Sequence, residues 1–378
     1  MKRYLHEKID YVQQQAREDE HVLIVPGPRN EVTTVDRTRA YTIAAPIVSR
    51  RTQYRALLNL RAVGEIIECE RPDIIESADP YQLGWKVAAI SAEQRIPAVA
   101  FYHSDFAAAY LRPAAARFGG GALDAVMRGA QRYVRNLYNR FETTLVPSPA
   151  VAEVLRMWGV HGIREVDLGV NTEVFNPGPD DAEITRRAHN IPPGCILLLC
   201  VGRLAAEKNT TTLLAAFSLL VRRRPGAFHL LVVGDGQQRD ALRAAQAETG
   251  AITWLSYCAD SRELAQLYRA ADLLVHPGTQ ETFGLVALES QACGTPVIGI
   301  RGSAMDRIIR HDQSCWATSN TATELAAAIE RCSALDLVSL GATAAVAVAE
   351  HDAWPSVFGR LFSVYREVRA GYRRARPR

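Results

Sequence analysis

Two groups of residues in the second half of the chain have the types and spacing to handle an anion. In Val201-Gly202-Arg203-Leu204-Ala205-Ala206-Glu207-Lys208-Asn209, two cations stand five positions apart, just past an apolar run. Open α/β sheets bind ligands beyond the carboxyl ends of their strands, and helix N-termini favour anions. Arg offers a planar fork and Lys a point charge, a pairing suited to a diphosphate; read alone, these residues fit an exposed surface ion pair equally well. In the second group, His276 to Glu289, the carboxylates Glu281 and Glu289 lie eight positions apart. On one helix they would point about 80° apart, so both address one ligand only if Glu281 belongs to the preceding loop. The backbone N–H groups of Phe283, Gly284 and Leu285 would then lack intrahelical partners and be free for a phosphate. The plainer alternative is an acid complementing the helix dipole, with Glu289 exposed mid-helix. Glu289 is flanked by Leu285-Val286-Ala287-Leu288 and Ala292-Cys293, however, which leaves only a narrow exposed face. A buried Glu needs partners, and ribose hydroxyls would serve.

A third segment, Gly234-Asp235-Gly236-Gln237-Gln238-Arg239, imitates a dinucleotide fingerprint. Arg239 replaces the third Gly, and Ala251 to Tyr257 offer no acid for a ribose 2′-OH, so these glycines read as a tight turn at a strand end. That disfavours a dehydrogenase. No Asp-x-Asp or spaced His/Cys set points to a metal, and Asp180-Asp181 reads as a solvated linker pair.

The elements that must position these residues alternate strand and helix. Cys195–Val201, His229–Val233, Ile252–Leu255, Leu273–His276 and Pro296–Ile300 read as strands. Helical patterns lie between them at Thr210–Arg223, around Leu264–Ala271 and at Thr282–Cys293. Val22–Val25, Tyr41–Ile47, Ile74–Ser77, Ala98–His103 and Thr144–Pro147 repeat the pattern in the first half. This is the βαβ signature of parallel sheets covered on both faces, so the expectation is two Rossmann-like, doubly wound α/β domains. The Asn, Gly and Pro cluster at Gly169–Pro179 separates them, with domains expected at 1–170 and 171–352 and a closing helix in 353–378.

With 378 residues, 48% apolar and 22% charged, the chain is an ordinary globular sequence. Its net charge of +3 gives no support to nucleic-acid binding. No stretch approaches the roughly 18 uninterrupted apolar residues of a spanning helix. The seven cysteines are scattered, and no secretory signal is visible, so reduced thiols in a cytoplasm-like compartment are expected. Two basic stretches, Arg112–Arg140 and the end of the last helix (Arg366, Arg369, Arg373, Arg374, Arg376, Arg378), read either as solvated faces or as contacts to an anionic membrane surface.

Taken together, these segments resemble the retaining family-4 (group 1) glycosyltransferases of the GT-B fold, two Rossmann-like lobes around a cleft. The resemblance rests on Gly202-Arg203 with Lys208, the Glu281 and Glu289 pair spanning Thr282-Phe283-Gly284, Ala292 to Ile298, and Gly169 to Pro177. It implies that Arg203 and Lys208 hold the donor diphosphate, Glu289 the ribose hydroxyls and Glu281 the donor sugar. His103, in Phe101-Tyr102-His103-Ser104-Asp105-Phe106, would contact the donor sugar or its phosphate. Gly202, Phe283, Gly284 and Leu285 would complete the donor site, without a metal or other cofactor. The implied donor is of the GDP-mannose or UDP-glucose type. The implied acceptor is a lipid or glycan, with the protein cytoplasmic or peripheral on the inner membrane face.

Two departures follow. The family's opening strand and Gly-Gly loop are missing ahead of the helix at Met1–Lys8, and a misplaced start is the expected cause. A family loop with two glycines before Pro-Glu is here Gly302-Ser303-Ala304-Met305-Asp306, so Asp306 stands where a Glu meets the donor sugar. A sugar-nucleotide epimerase of the same fold, or a non-catalytic nucleotide-binding remnant, are the competing readings.

Overall fold

In the computed structural model, which describes residues 2–49, 54–102, 120–179, 181–278 and 284–375, the chain divides into two units. One comprises Met1–Asp167 with Val357–Arg378, the other Leu168–Ser356.

The first unit carries two principal sheets. In one, β1 (His21–Gly27), β2 (Glu31–Val35) and β3 (Thr38–Ala44) lie in the order β1-β3-β2, with β1 parallel and β2 antiparallel to β3. A short antiparallel pair follows, β4 (Ile47–Ser49) with β5 (Tyr54–Arg55). The other principal sheet is parallel, with β6 (Ile75–Ser77), β7 (Ala98–Phe101), β8 (Thr143–Val146) and β9 (Ile163–Glu165) in sequential order. Every residue of β7 and β8 is buried, as expected of parallel strands covered on both faces. The parallel pairing expected from the sequence holds across β6–β9, while β2 adds an antiparallel strand beside β3. The strand expected across Tyr41–Ile47 is broken near Pro46, which has no N–H for a ladder, and the solvent-exposed β2 gave no apolar signal.

Helix Lys2–Gln14 buries Tyr4, Lys8 and Val12, one face at four-residue spacing. Lys8 Nζ donates to Glu76 Oε2 (3.1 Å) and Tyr365 Oη (2.8 Å), and Tyr4 Oη donates to Glu76 Oε1 (3.4 Å). Tyr365 Oη also donates to Glu76. Burial pushes the Glu76 carboxyl up, but the Lys8 charge and these hydrogen bonds outweigh it and hold the group below its ordinary value. The helix Trp354–Ala375 supplies Tyr365 and continues into the basic stretch. Three of its arginines are paired, Arg366 against Asp19 (3.9 Å) and Arg369 and Arg373 both against Asp73 (2.8 and 3.0 Å), while Arg376 and Arg378 lie outside the described residues.

The second unit is one five-stranded parallel sheet. Its strands β10 (Ile196–Val201), β11 (Phe228–Val233), β12 (Ile252–Leu255), β13 (Leu273–Val275) and β14 (Val297–Ile298) stand in the order β12-β11-β10-β13-β14. Helix Thr210–Arg223 covers it with Leu213, Leu214, Phe217 and Leu220, the four residues its periodicity places on one face. From β10 the chain winds outward through β11 and β12, then returns to the other side at β13. Such a reversal leaves a crevice beyond the carboxyl ends of the two strands it separates, here β10 and β13.

Candidate functional site

Both loops leaving that crevice carry polar residues. The loop after β10 contains Gly202, Arg203 and Lys208, with Lys208 on a single 3₁₀ turn, Ala206–Lys208. The loop after β13 contains His276, Pro277 and Gly278. With Leu285 and Val286 they line a cavity of about 200 Å³.

Glycines allow the loops to pack this closely. Gly202 has φ +147°, and a Cβ on Gly234 (φ +141°) would lie 1.9 Å from the Gly202 carbonyl oxygen. A Cβ on Gly236 would lie 2.3 Å from the Leu204 oxygen. The Gly202 N–H donates to Val233 O (2.9 Å) and the Leu204 N–H to Asp235 O (3.1 Å). The turn that imitates a dinucleotide fingerprint is therefore a buttress for the Arg203–Lys208 loop.

Arg203 is 73% exposed and paired with Glu207 at 3.0 Å, so a ligand can reach it without desolvating a buried group. Beneath the cavity, burial pushes the Cys200 thiol up to about 12 despite the opposing charge of Lys208. The thiol is neutral at pH 7 and leaves the cationic character of the loop intact.

The third wall is the helix Leu285–Ala292. It starts three residues later than the periodicity placed it, because Gly284 caps it in the left-handed conformation (φ +59°) over Met305 and Ile308. Its first internal bond runs from the Ala287 N–H to Gly284 O (2.9 Å). Leu285, one of the expected set of Phe283, Gly284 and Leu285, is the first residue of this helix and stands in the cavity wall with Val286. Phe283 and Glu281 lie outside the described residues, as does His103.

Glu289 is 3% exposed and accepts a hydrogen bond from Tyr268 Oη (3.1 Å). It is not an exposed mid-helix acid, and it lies off the lining of the 200 Å³ cavity. Tyr268 in turn packs edge-on against Phe175, ring centroids 6.0 Å apart. The segment Gly169–Pro177 thus contributes through Phe175, held by a turn in which Asn171 Oδ1 accepts the N–H groups of Glu173 (3.1 Å) and Val174 (3.2 Å). Asp306 closes its own loop, Oδ2 accepting the Gly302 N–H at 2.8 Å.

Sequence reasoning missed Tyr268, which no local signal could link to Glu289 21 positions away. It also gave no role to Asn209, although Asn after a short cationic turn is a signal for left-handed backbone. Asp181 is corrected as well. Rather than solvated, it forms a two-pronged ion pair with Arg269 (2.9 and 2.6 Å), and that guanidinium holds its carboxyl below the ordinary range. Asp180 lies outside the described residues. Among the described residues, no group of three or more His, Cys, Asp or Glu side chains is placed to share a metal ion.

Comparison with known proteins places this geometry. Residues 2–174 match the model of Glycosyltransferase Family 4, and residues 181–336 that of Glycosyl transferases group 1. A GDP-mannose-dependent alpha-(1-6)-phosphatidylinositol dimannoside mannosyltransferase of Mycobacterium tuberculosis is 31% identical over 303 residues, 78% of this chain and 74% of that protein. A GDP-mannose-dependent alpha-mannosyltransferase of Corynebacterium glutamicum is 29% identical over 298 residues, 76% of this chain and 66% of its own length. A D-inositol 3-phosphate glycosyltransferase of Thermobispora bispora is 35% identical over 226 residues, 54% of this chain. The chain spans half of that last protein and about two thirds to three quarters of the other two. Among solved structures, the sucrose-phosphate synthase of Thermosynechococcus elongatus superposes with a TM-score of 0.71 at 21% identity, covering 96% of this chain and 92% of that one. Two α/β units of this topology, matched over residues 2–174 and 181–336 by the family's two halves, make the chain a member of the group 1, family-4 glycosyltransferases of the GT-B fold.

Proposed function

We propose that this chain transfers mannose from GDP-mannose to an acceptor, with retention of the anomeric configuration. The observation that carries this reading is that Arg203, Lys208, Leu285 and Val286 line one cavity at the β10/β13 switch point. When the glycosidic bond breaks, negative charge builds on the departing diphosphate. Fixed donors aimed at that charge lower the barrier without reorganising, and this is commonly the largest single contribution to catalysis. Lys208 supplies the point charge and Arg203 the fork, so the reading needs no metal. Glu289, held by Tyr268 and set off the cavity lining, is the group that the family resemblance assigns to the ribose hydroxyls. Mannose and the guanine nucleotide are favoured because two relatives are named as GDP-mannose-dependent.

For the acceptor we favour a lipid-linked alcohol presented at an anionic surface. Arg128, Arg132 and Arg135 are exposed on the helix Gly120–Tyr138, opposite the buried Val134 and Leu137. Such a basic face is drawn to anionic headgroups. Localisation on the inner membrane face follows from the same reading.

The test is a transfer assay with GDP-mannose, UDP-glucose and ADP-glucose against phosphatidylinositol-containing vesicles and against soluble glycans. Transfer from GDP-mannose to lipid, unchanged by EDTA, supports every part of the reading. Transfer from UDP-glucose alone overturns the donor, and transfer to soluble glycan alone overturns the acceptor. Donor turnover without any acceptor would favour an epimerase instead.

A further inference from the structure

Lys208 can clamp a diphosphate only if its loop is held in register with the loop after β13, and one side chain spans that gap. Asn209 follows Lys208 directly and adopts the left-handed conformation (φ +59°, ψ 27°), ending the 3₁₀ turn and opening the helix Thr210–Arg223. Its amide is used in full. Oδ1 accepts from Thr212 Oγ1 (3.2 Å), while Nδ2 donates to the Pro277 carbonyl (3.0 Å) and to Asn320 Oδ1. Pro277 belongs to the cavity wall itself. Asn320 belongs to a different segment, 111 residues away in sequence and anchored by the bridge between Ile300 and Ala317.

We propose that Asn209, braced by Asn320, is the positioning residue that sets Lys208 against the β13 loop and thereby fixes affinity for the donor diphosphate. This rests on the assignment of the diphosphate to Lys208. An Asn suits the position because it tolerates φ > 0 and can both accept and donate. Gly would keep the backbone and lose the latch, whereas Ala would lose both. Neither Asn209 nor Asn320 touches the donor in this scheme; they act through Lys208.

The experiment is a double-mutant cycle read by calorimetric titration of GDP and GMP into the full-length chain. Asn209→Gly should weaken GDP about tenfold, leave GMP within about twofold, and hold the melting temperature within about 2 °C. Asn320→Ala should weaken GDP about threefold, and Asn320→Asp, which keeps the accepting oxygen, should recover most of that loss. In a Lys208→Ala background, Asn209→Gly should cost nothing further, a readout that a merely structural residue would not give. Additive losses in the two backgrounds, or equal losses for GDP and GMP, overturn the latch. If the wild type binds no GDP, the guanine-nucleotide donor fails and the same cycle is read with UDP and UMP; if Lys208→Ala binds the diphosphate as well as the wild type, the assignment of Lys208 fails instead.

Discussion

The two units solve the burial of charge in opposite ways. In the second unit the cations that matter come from one short loop, Arg203 to Lys208, set at the mouth of a crevice with Arg203 still exposed. In the first unit a lysine, a glutamate and two tyrosines are gathered inside, from positions as far apart as 8, 76 and 365. An exposed loop at a switch point keeps its charge available to a ligand. The interior cluster of Lys8, Glu76, Tyr4 and Tyr365 has already satisfied its own charge and ties one helix and one strand to the closing helix. The difference separates a site from a staple, and substitutions should separate them too.

The largest effect is expected in the staple. Lys8→Met leaves the Glu76 carboxylate buried beside two hydroxyls, and breaking one side of a buried pair costs about 3–5 kcal/mol. Urea melts of the full chain should show that loss, and a variant as stable as the wild type would remove the cluster from the account of stability. Next comes the site. Lys208→Ala should lower kcat/KM for transfer about 10²–10³-fold, the cost of removing one preorganised donor to a developing anion. Its melting temperature should stay near that of the wild type, since Lys208 is not part of the core.

Acid should then act mainly on the first unit. Burial, with the Lys8 charge behind it, lowers the His21 pKa from the ordinary 6.5 to about 4. The unfolded chain therefore takes up this proton first as the pH falls. Stability is complete above about pH 6.5 and is lost progressively down to about pH 4, by roughly 3 kcal/mol. Glu76, held below its ordinary value, adds loss of the same sign at still lower pH. Melts between pH 7 and 4 should show the slope, and His21→Gln should flatten it. His311 in the second unit adds a smaller contribution of the same sign. Its Nε2 accepts the Val297 N–H at 2.9 Å, its Nδ1 faces Asp312 O at 2.8 Å, and burial lowers its pKa. Smallest is Gly234→Ala, where strain at φ +141° and the clash with the Gly202 oxygen should cost about 1–3 kcal/mol. Donor affinity should fall with it, because the clash displaces the loop that carries Lys208.

What the sequence revealed tracks how local each feature is. The helix Thr210–Arg223 was legible residue for residue because its apolar positions repeat at helical spacing, and β12 because its apolar run is bounded by turn residues. The start of the helix at Leu285 was misplaced by three residues, since only the packing of Gly284 on Met305 and Ile308 fixes it. β2 escaped notice because Glu31-Val32-Thr33-Thr34-Val35 is exposed along its length and pairs only with β3. Arg203, Lys208 and Leu285 could be assigned to one site only through the family resemblance, and the cavity they share bears on that grouping. The links from Tyr268 to Glu289 and from Asp181 to Arg269 could not be read at all, because they join side chains that only the finished fold makes neighbours.

The central claim is that the crevice between β10 and β13 holds a nucleoside diphosphate through its phosphates. Calorimetric titration of GDP and GMP into the wild type and Lys208→Ala tests it most directly. The account predicts that the wild type prefers GDP over GMP and that Lys208→Ala abolishes most of that preference. Equal GDP affinity in the two proteins would contradict it.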